Sequence, residues 1–267
     1  MRRFSPEYLR RTREGMWADS RAALAPLSLD GRERILDAGA GTGELARVLT
    51  AESPAEVVCL DADPGLLSVA REETDLDVVA GDAVRPPFPD DAFDLVVCQA
   101  LLVNLPDPTA ALRAFGSLSR DAVAAIEPDN ADVGVDSTVE AEVTLERQVR
   151  EAYIEGVETD VAMGDRLVSA FRTVGLESIE TRRYYHRKVV EPPYEEASLS
   201  AAARKASGAG LADHETELRR VLSAEEYDAL RREWREMGRA VVEAMQEETY
   251  RRAEVVPFDV VVGRVPG

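Results

Sequence analysis

Along the first half of the chain, short apolar runs alternate with segments whose apolar positions recur at helical spacing. This is the pattern of successive strand–helix units feeding a parallel sheet. Strands are predicted at 34–38, 55–61, 76–80, 93–99 and 123–127, with helices at 44–50, from Pro64 onward, and at 108–118. Proline suits the first turn of a helix, where its missing N–H is not needed. The strands read as nearly continuous apolar stretches, such as Val57-Val58-Cys59-Leu60 and Leu95-Val96-Val97-Cys98, as expected when helices cover both faces of a sheet. The second half is mostly helical. Ser137-Thr138-Val139-Glu140 has the form of a capping box opening a helix to Gly156, and a helix at 164–174 is stopped by Gly175. A long strand is expected at 176–190 and a last one at 258–262. The span 192–252 between them reads as helix, with a second capping box at Ser223-Ala224-Glu225-Glu226. Leu230, Trp234, Met237, Val241 and Met245 follow at helical spacing and predict a packing seam.

Composition narrows the class. At 267 residues, 45% of them hydrophobic, the chain can bury a substantial core as one large domain or as a core carrying insertions. It holds no apolar stretch of the roughly 18 residues that a membrane span needs. Its start, Met1-Arg2-Arg3-Phe4-Ser5-Pro6-Glu7, lacks the apolar run of a secretory signal, so a cytoplasmic location is expected. Asp and Glu number 51 against 32 Lys and Arg, a formal charge of −19. Such a field disfavours phosphate backbones, and neither nucleic acid nor membrane is expected as a partner. Lys188 and Lys205 are the only lysines, a bias that a GC-rich genome and a halophilic source with an acidic surface explain equally well. Cys59 and Cys98 lie inside apolar strands and read as small buried hydrophobes. With His186 and His214 the only histidines and no CxxC or HExxH, no metal site is expected.

The chemistry concentrates at strand ends. Ile35-Leu36-Asp37-Ala38-Gly39-Ala40-Gly41-Thr42-Gly43-Glu44 is a strand, a glycine turn and a helix start. Glycines there allow positive φ and close approach of backbone to a ligand. Eighteen residues after Gly43, the second strand ends in Asp61, followed by Ala62. The third is followed by Gly81-Asp82-Ala83, and the fourth ends in Gln99. A carboxylate at the second strand's end can accept both hydroxyls of a ribose lying across the crevice. A dinucleotide fingerprint needs Gly or Ala where this chain has Glu44, and an anionic Asp37 beside the turn suits an ammonium or sulfonium better than a pyrophosphate. No GxxxxGK[ST] follows.

These residues resemble the class I S-adenosylmethionine-dependent methyltransferases, in their small-molecule, ubiquinone-biosynthesis-like (type 11) branch. The resemblance is strong over 32–130 and looser over 164–184 and the last strand. It implies an α/β, Rossmann-like seven-stranded sheet whose last strand is antiparallel, with helical cap insertions. By it, Asp37, Gly39, Ala40, Gly41 and Gly43 would cradle the methionine part and ribose, with Gln99 at the fourth strand's end. Asp61 would bind the ribose beside Ala62, and Asp82 the adenine amino group, with the N–H of Ala83 on a ring nitrogen. Phe88-Pro89-Asp90-Asp91-Ala92-Phe93-Asp94 and Asn104-Leu105-Pro106-Asp107-Pro108 resemble the family's fourth-strand signature, with Asn104 where members often carry histidine. Gln99-Ala100-Leu101-Leu102 stands where the amino-methylating branch carries an Asn/Asp-Pro-Pro-Tyr motif, which argues against that branch.

The implied organisation is an N-terminal helical segment (1–30), a core (31–190 with 253–267) and cap insertions (132–160 and 191–252). The excess helix would enclose a small-molecule methyl acceptor, or form a layer for a homodimer. Tyr8, Trp17 and Tyr153 are candidate pocket aromatics. Glu127, expected to face the acceptor, and His186 are the candidates for proton handling, although a lone histidine beside Arg187 reads more simply as a surface residue, as does His214 at a helix start. Arg10-Arg11-Thr12-Arg13, Arg182-Arg183 and Arg231-Arg232 read as solvated faces. The implied cofactor is S-adenosyl-L-methionine, leaving S-adenosylhomocysteine, with no metal. Two other readings stay open: a noncatalytic binding or regulatory protein on the same fold, and an NAD-dependent oxidoreductase, which the glycine spacing disfavours.

Overall fold

The computed structural model describes Pro6, Leu9, Met16, Trp17, residues 21–73 and residues 75–266. Tyr8 and the Arg10–Arg13 cluster lie outside the described residues. The strands are β1 (Arg34–Ala38), β2 (Glu56–Asp61), β3 (Asp77–Ala80), β4 (Phe93–Gln99), β5 (Ser119–Pro128), β6 (Gly134–Ser137), β7 (Glu177–Val190) and β8 (Arg252–Arg264). The helices are α1 (Glu44–Glu52), α2 (Pro64–Glu73), α3 (Pro108–Leu118), α4 (Glu140–Gly156), α5 (Asp165–Thr173), α6 (Glu196–Ser207), α7 (Ala209–Ala212), α8 (Glu215–Val221) and α9 (Ala224–Gln246). None is long and apolar enough to cross a membrane.

The chain divides into two compact units. The first holds Met1–Asp129, Met163–Tyr184 and Phe258–Gly267. Its strands run in the order β3-β2-β1-β4-β5-β8. Parallel pairing joins β1 to β2 and β4, β2 to β3, and β4 to β5. The last strand runs antiparallel to β5, from Ala122 opposite Arg264 to Pro128 opposite Phe258. The interior strand β4 is buried along its whole length, which is why its sequence carries no alternation. One face packs Leu36, Val96, Val123 and Val261 against Leu112 and Phe115 of α3 and Leu167 and Phe171 of α5. Helix α3 starts where Asp107 accepts the N–H groups of Thr109 and Ala110, with Pro108 in its first turn.

The second unit, Asn130–Ala162 and Tyr185–Pro257, has its own core. Leu230, Trp234, Met237, Val241 and Met245 of α9 are buried with Leu145, Ala202, Leu211 and Leu218, so the helical stripe is a packing seam. Ser223 forms the reciprocal capping box with Glu226 at the start of α9. Gly238 lets α9 and α6 meet backbone to backbone, since a Cβ there would stand 2.3 Å from the Ala206 nitrogen. Between the helices lies a polar knot. Glu142 is fully buried and accepts from Tyr250 Oη at 3.0 and 2.9 Å, from Ser137 Oγ at 2.5 Å, and from Lys205 Nζ.

Three expectations change. Among the described residues the sheet has eight strands, because residues 134–137 form β6 on Arg252–Val255 of β8; four residues are too few to show a period. For the same reason β8 begins at Arg252 instead of 258. Ser137 does not cap α4. It ends β6, and its hydroxyl accepts the Val139 N–H while donating to Glu142, so the helix starts one residue after Val139 without a side-chain cap.

Candidate functional site

The parallel order of the first unit brings the predicted residues to one edge. Asp37 on β1 lies opposite Cys59 of β2 and Val97 of β4, so Asp61 and Gln99, each two residues further on, end their strands just beyond it. Asp82 follows the end of β3. Asp82, Asp61, Asp37 and Gln99 therefore occupy the C-terminal ends of four adjacent strands, the crevice where open α/β sheets take ligands.

Between β1 and α1 the backbone turns on three glycines with φ of +76° at Gly39, +58° at Gly41 and +83° at Gly43. This left-handed region costs an ordinary residue roughly 1–2 kcal/mol. The turn is tied down by its own N–H groups. Those of Gly39 and Ala40 donate to the Leu60 carbonyl at 2.7 and 3.0 Å. That of Gly41 donates to Asp61 Oδ2 at 2.9 Å, while Asp61 Oδ1 accepts the Asp63 N–H at 2.9 Å. Asp61 is thus a clamp on the glycine turn as well as a strand-end acid. A Cβ on Gly39 would lie 2.9 Å from Leu101 Cδ1; the loop after β4 packs directly on the turn.

Asp37 is buried, and its charge helps to push the Cys98 thiol pKa well up, after burial and Glu127. Both cysteines are free and buried. Ala62 is exposed and Ala83 buried. Asp82 is exposed and accepts the Val84 N–H at 2.9 Å. Gln99 is buried, its amide donating to Met16 Sδ at 2.9 Å. Asn104 donates to the Ala100 carbonyl at 2.8 Å.

Glu127, near the end of β5, is held by backbone. Its side chain is 1% exposed and accepts three backbone N–H groups, from Leu101 and Leu102 at Oε1 (3.0 and 2.9 Å) and Val103 at Oε2 (3.3 Å), with Cys98 Sγ at 3.7 Å. Burial pushes its carboxyl up to about 7 against the pull of those N–H groups. The carboxylate is directed at the loop after β4, because that loop's first turn leaves N–H groups without helical partners. His186 is buried, contrary to a surface reading, on the part of β7 that belongs to the second unit.

Trp17 packs tilted against Tyr184 at 5.7 Å, and Tyr184 stacks on Phe258 at 5.3 Å. Tyr153 meets His214 edge-on at 4.9 Å within the second unit. Arg183 is paired with Asp129 and Asp259 at 2.8 Å, while Arg231 and Arg232 are exposed. Among the described residues no group of three or more His, Cys, Asp or Glu could hold a metal ion. Leu101 and Met16 carried no signal in the sequence, being apolar residues distant in the chain from what they touch.

Residues 36–120 match the family model described as a methyltransferase domain. A demethylmenaquinone methyltransferase of Mycobacterium sp. (strain KMS) is 38% identical over 100 residues, covering 38% of this chain and 43% of that protein. One of Renibacterium salmoninarum is 41% identical over 81 residues, 30% of this chain and 34% of that protein. The chain thus spans about two fifths of the length of the curated relatives it matches. A solved structure from Bacillus halodurans C-125, described as a candidate methyltransferase, aligns over 94% of this chain and all of its own, with a TM-score of 0.55 and 16% identity. That likeness is one of fold.

Proposed function

We propose that the chain, whose residues 36–120 match a methyltransferase domain, moves a methyl group from S-adenosylmethionine to a small organic acceptor. The observation that supports this best is the Asp61 carboxylate, at a strand end, holding the N–H of the middle glycine of a three-glycine turn. The donor set suits the cofactor. Asp37 offers negative charge beside the turn for an ammonium and a sulfonium. Asp61 would take ribose hydroxyls; a carboxylate offers about four acceptor directions, of which the N–H groups of Gly41 and Asp63 use two. Asp82 would take the adenine amino group, with Ala62 and Ala83 alongside. A Cβ on Gly39 would press on the Leu101 side chain and sit at a strained φ of +76°, which favours a cradle lined by backbone.

S-adenosylmethionine supplies a methyl on positively charged sulfur, whose C–S bond breaks with its electron pair left on sulfur as an acceptor lone pair attacks in line. The protein's part is placement: to hold donor and acceptor about 3–3.5 Å apart and aligned, and to exclude water. Glu127, engaged by three backbone N–H groups, is not assigned as a general base. An acceptor with a free amine or thiolate needs none.

Calorimetric titration tests the cofactor. Micromolar affinity for S-adenosylhomocysteine with none for NAD is expected, and the reverse would make the chain a dinucleotide enzyme. Radiolabelled methyl transfer into a metabolite extract then tests catalysis; binding without transfer to any acceptor would leave a noncatalytic binder. Demethylmenaquinone, the compound in the relatives' name, is tried separately, because the matched segment ends at residue 120.

A further inference from the structure

The Glu127 carboxylate gathers the N–H groups of Leu101, Leu102 and Val103. The loop they belong to is held at its start as well. Ala100 sits at φ +49°, its N–H donating to the Ile126 carbonyl at 2.9 Å and its own carbonyl accepting Asn104 Nδ2. A non-glycine residue stays in that region only where its surroundings fix it. The next side chain, Leu101, lies on Gly39, with Cδ1 at 2.9 Å and Cγ at 3.2 Å from where a Cβ would be. The floor of the glycine turn is therefore a leucine whose backbone hangs on one buried carboxylate.

We infer that Glu127 is a positioning residue for the adenosyl-ligand site, holding the Gly39–Gly43 turn in its binding form through the backbone of residues 101–103 and the Leu101 side chain. The ligand's identity rests on the methyltransferase reading; the coupling of carboxylate to turn does not.

Among the described residues, the charged and titratable groups near Glu127 are Cys98 on β4, Asp37 on β1, Asp129 just after β5, Asp259 directly across on β8, and Arg183 of β7, which pairs with Asp129 and Asp259. Burial keeps the Cys98 thiol neutral. Glu127 itself changes protonation near neutrality. Its ionised form is the better acceptor for three N–H groups, so a ligand that needs the ordered turn binds tighter as pH rises.

The test is calorimetry with S-adenosylhomocysteine between about pH 5.5 and 8.5, on the wild type, Glu127→Gln, Leu101→Ala and the double variant. Hydrogen exchange of residues 39–43 and 101–103 without ligand accompanies it. Wild-type affinity is expected to rise about tenfold over that range. Glu127→Gln should bind at least about tenfold more weakly at the upper end, with a flat profile and faster exchange in both segments. Leu101→Ala should bind weakly, and adding Glu127→Gln to it should change little, as for residues acting in series. Wild-type affinity and pH profile in Glu127→Gln, additive losses in the double variant, or loosening at 101–103 that leaves 39–43 unchanged would each overturn the inference. Should Glu127→Gln fail to fold, a flat wild-type profile or full affinity in Leu101→Ala overturns it. A wild type that binds no S-adenosylhomocysteine refutes the methyltransferase reading instead, and the exchange data still decide the coupling.

Discussion

Asp61→Asn separates the clamp on the glycine turn from the ribose contact proposed for the same carboxylate. Its two oxygens accept the N–H groups of Gly41 and Asp63, both at 2.9 Å. An asparagine keeps one carbonyl oxygen and turns an NH₂ toward the other N–H, so one of the two bonds is lost. A hydrogen bond to a charged group is worth about 1.5–3 kcal/mol, and urea unfolding without ligand should show a loss at the lower end of that range. The ribose contact is measured by changing the ligand. If Asp61 accepts ribose hydroxyls, the wild type should prefer S-adenosylhomocysteine over its 2′- or 3′-deoxy analogue by about 10- to 140-fold, the same 1.5–3 kcal/mol at 1.4 kcal/mol per decade. In Asp61→Asn the preference should shrink to within about threefold, because the hydroxyl then has no charged acceptor. Calorimetric titration of S-adenosylhomocysteine and each deoxy analogue against both proteins gives a four-cornered comparison for each hydroxyl. Equal weakening for ribose and deoxyribose ligands would show that Asp61 acts through the turn alone, and the ribose assignment would fall.

Replacing glycine by alanine should have opposite signs in two helices. Gly116 of α3 has open space around a Cβ and should stabilise by about 0.5–1 kcal/mol, whereas Gly238→Ala must push α9 off the α6 backbone and should cost about 3 kcal/mol or more; equal midpoint shifts in urea would refute the crossing. Lys205→Met leaves the fully buried Glu142 short of a cation and should cost about 3 kcal/mol, much of it recovered by adding Glu142→Gln; no recovery in the double variant would sink the argument. For Glu127 the folded pKa lies above the ordinary 4.5, at about 7. The folded state therefore binds the extra proton, and the contribution is full below about 4.5 and lost as pH rises through about 7. The stability of wild type relative to Glu127→Gln should fall by about 3 kcal/mol across that window, at 1.36 kcal/mol per pKa unit; a difference constant with pH would mean that Glu127 is ionised throughout.

What the sequence made legible was whatever repeats with a period or needs a special backbone. The five parallel strands and their helices are long enough to show apolar runs, and the glycines at 39, 41 and 43 announce positive φ. The α9 seam at Leu230, Trp234 and Met237 was legible for the same reason. Strand β6 was not, having four residues and partners more than a hundred positions away in β8. Nor was the seat of Leu101 on Gly39, since an apolar residue in the run Ala100-Leu101-Leu102-Val103 looks the same whether it faces the core or a ligand turn. Ser137 shows a pattern that is correct locally and overridden by tertiary contact: the box residues are present, but the strand ending at Ser137 and the buried Glu142 claim the hydroxyl.

The acids were the hardest to read, for a reason that bears on the site itself. Turns and strand starts leave backbone N–H groups that must find acceptors, and in this chain carboxylates supply many of them. Asp94 accepts the N–H groups of Glu33 and Arg34, Asp107 those of Thr109 and Ala110, and Asp82 that of Val84, just as Asp61 and Glu127 serve their own loops. Part of the −19 charge is therefore an internal scaffold of anion–backbone contacts, and an acid at a strand end has no ligand role by position alone. What separates the two cases is response. A carboxylate that serves only a turn alters stability in the same way whatever ligand is offered, whereas one that meets the ligand alters discrimination between ligands differing by a single hydroxyl or charge. By that criterion the proposed reading expects Asp61 to fall in both classes and Glu127 in the first, its influence on binding passing through Leu101.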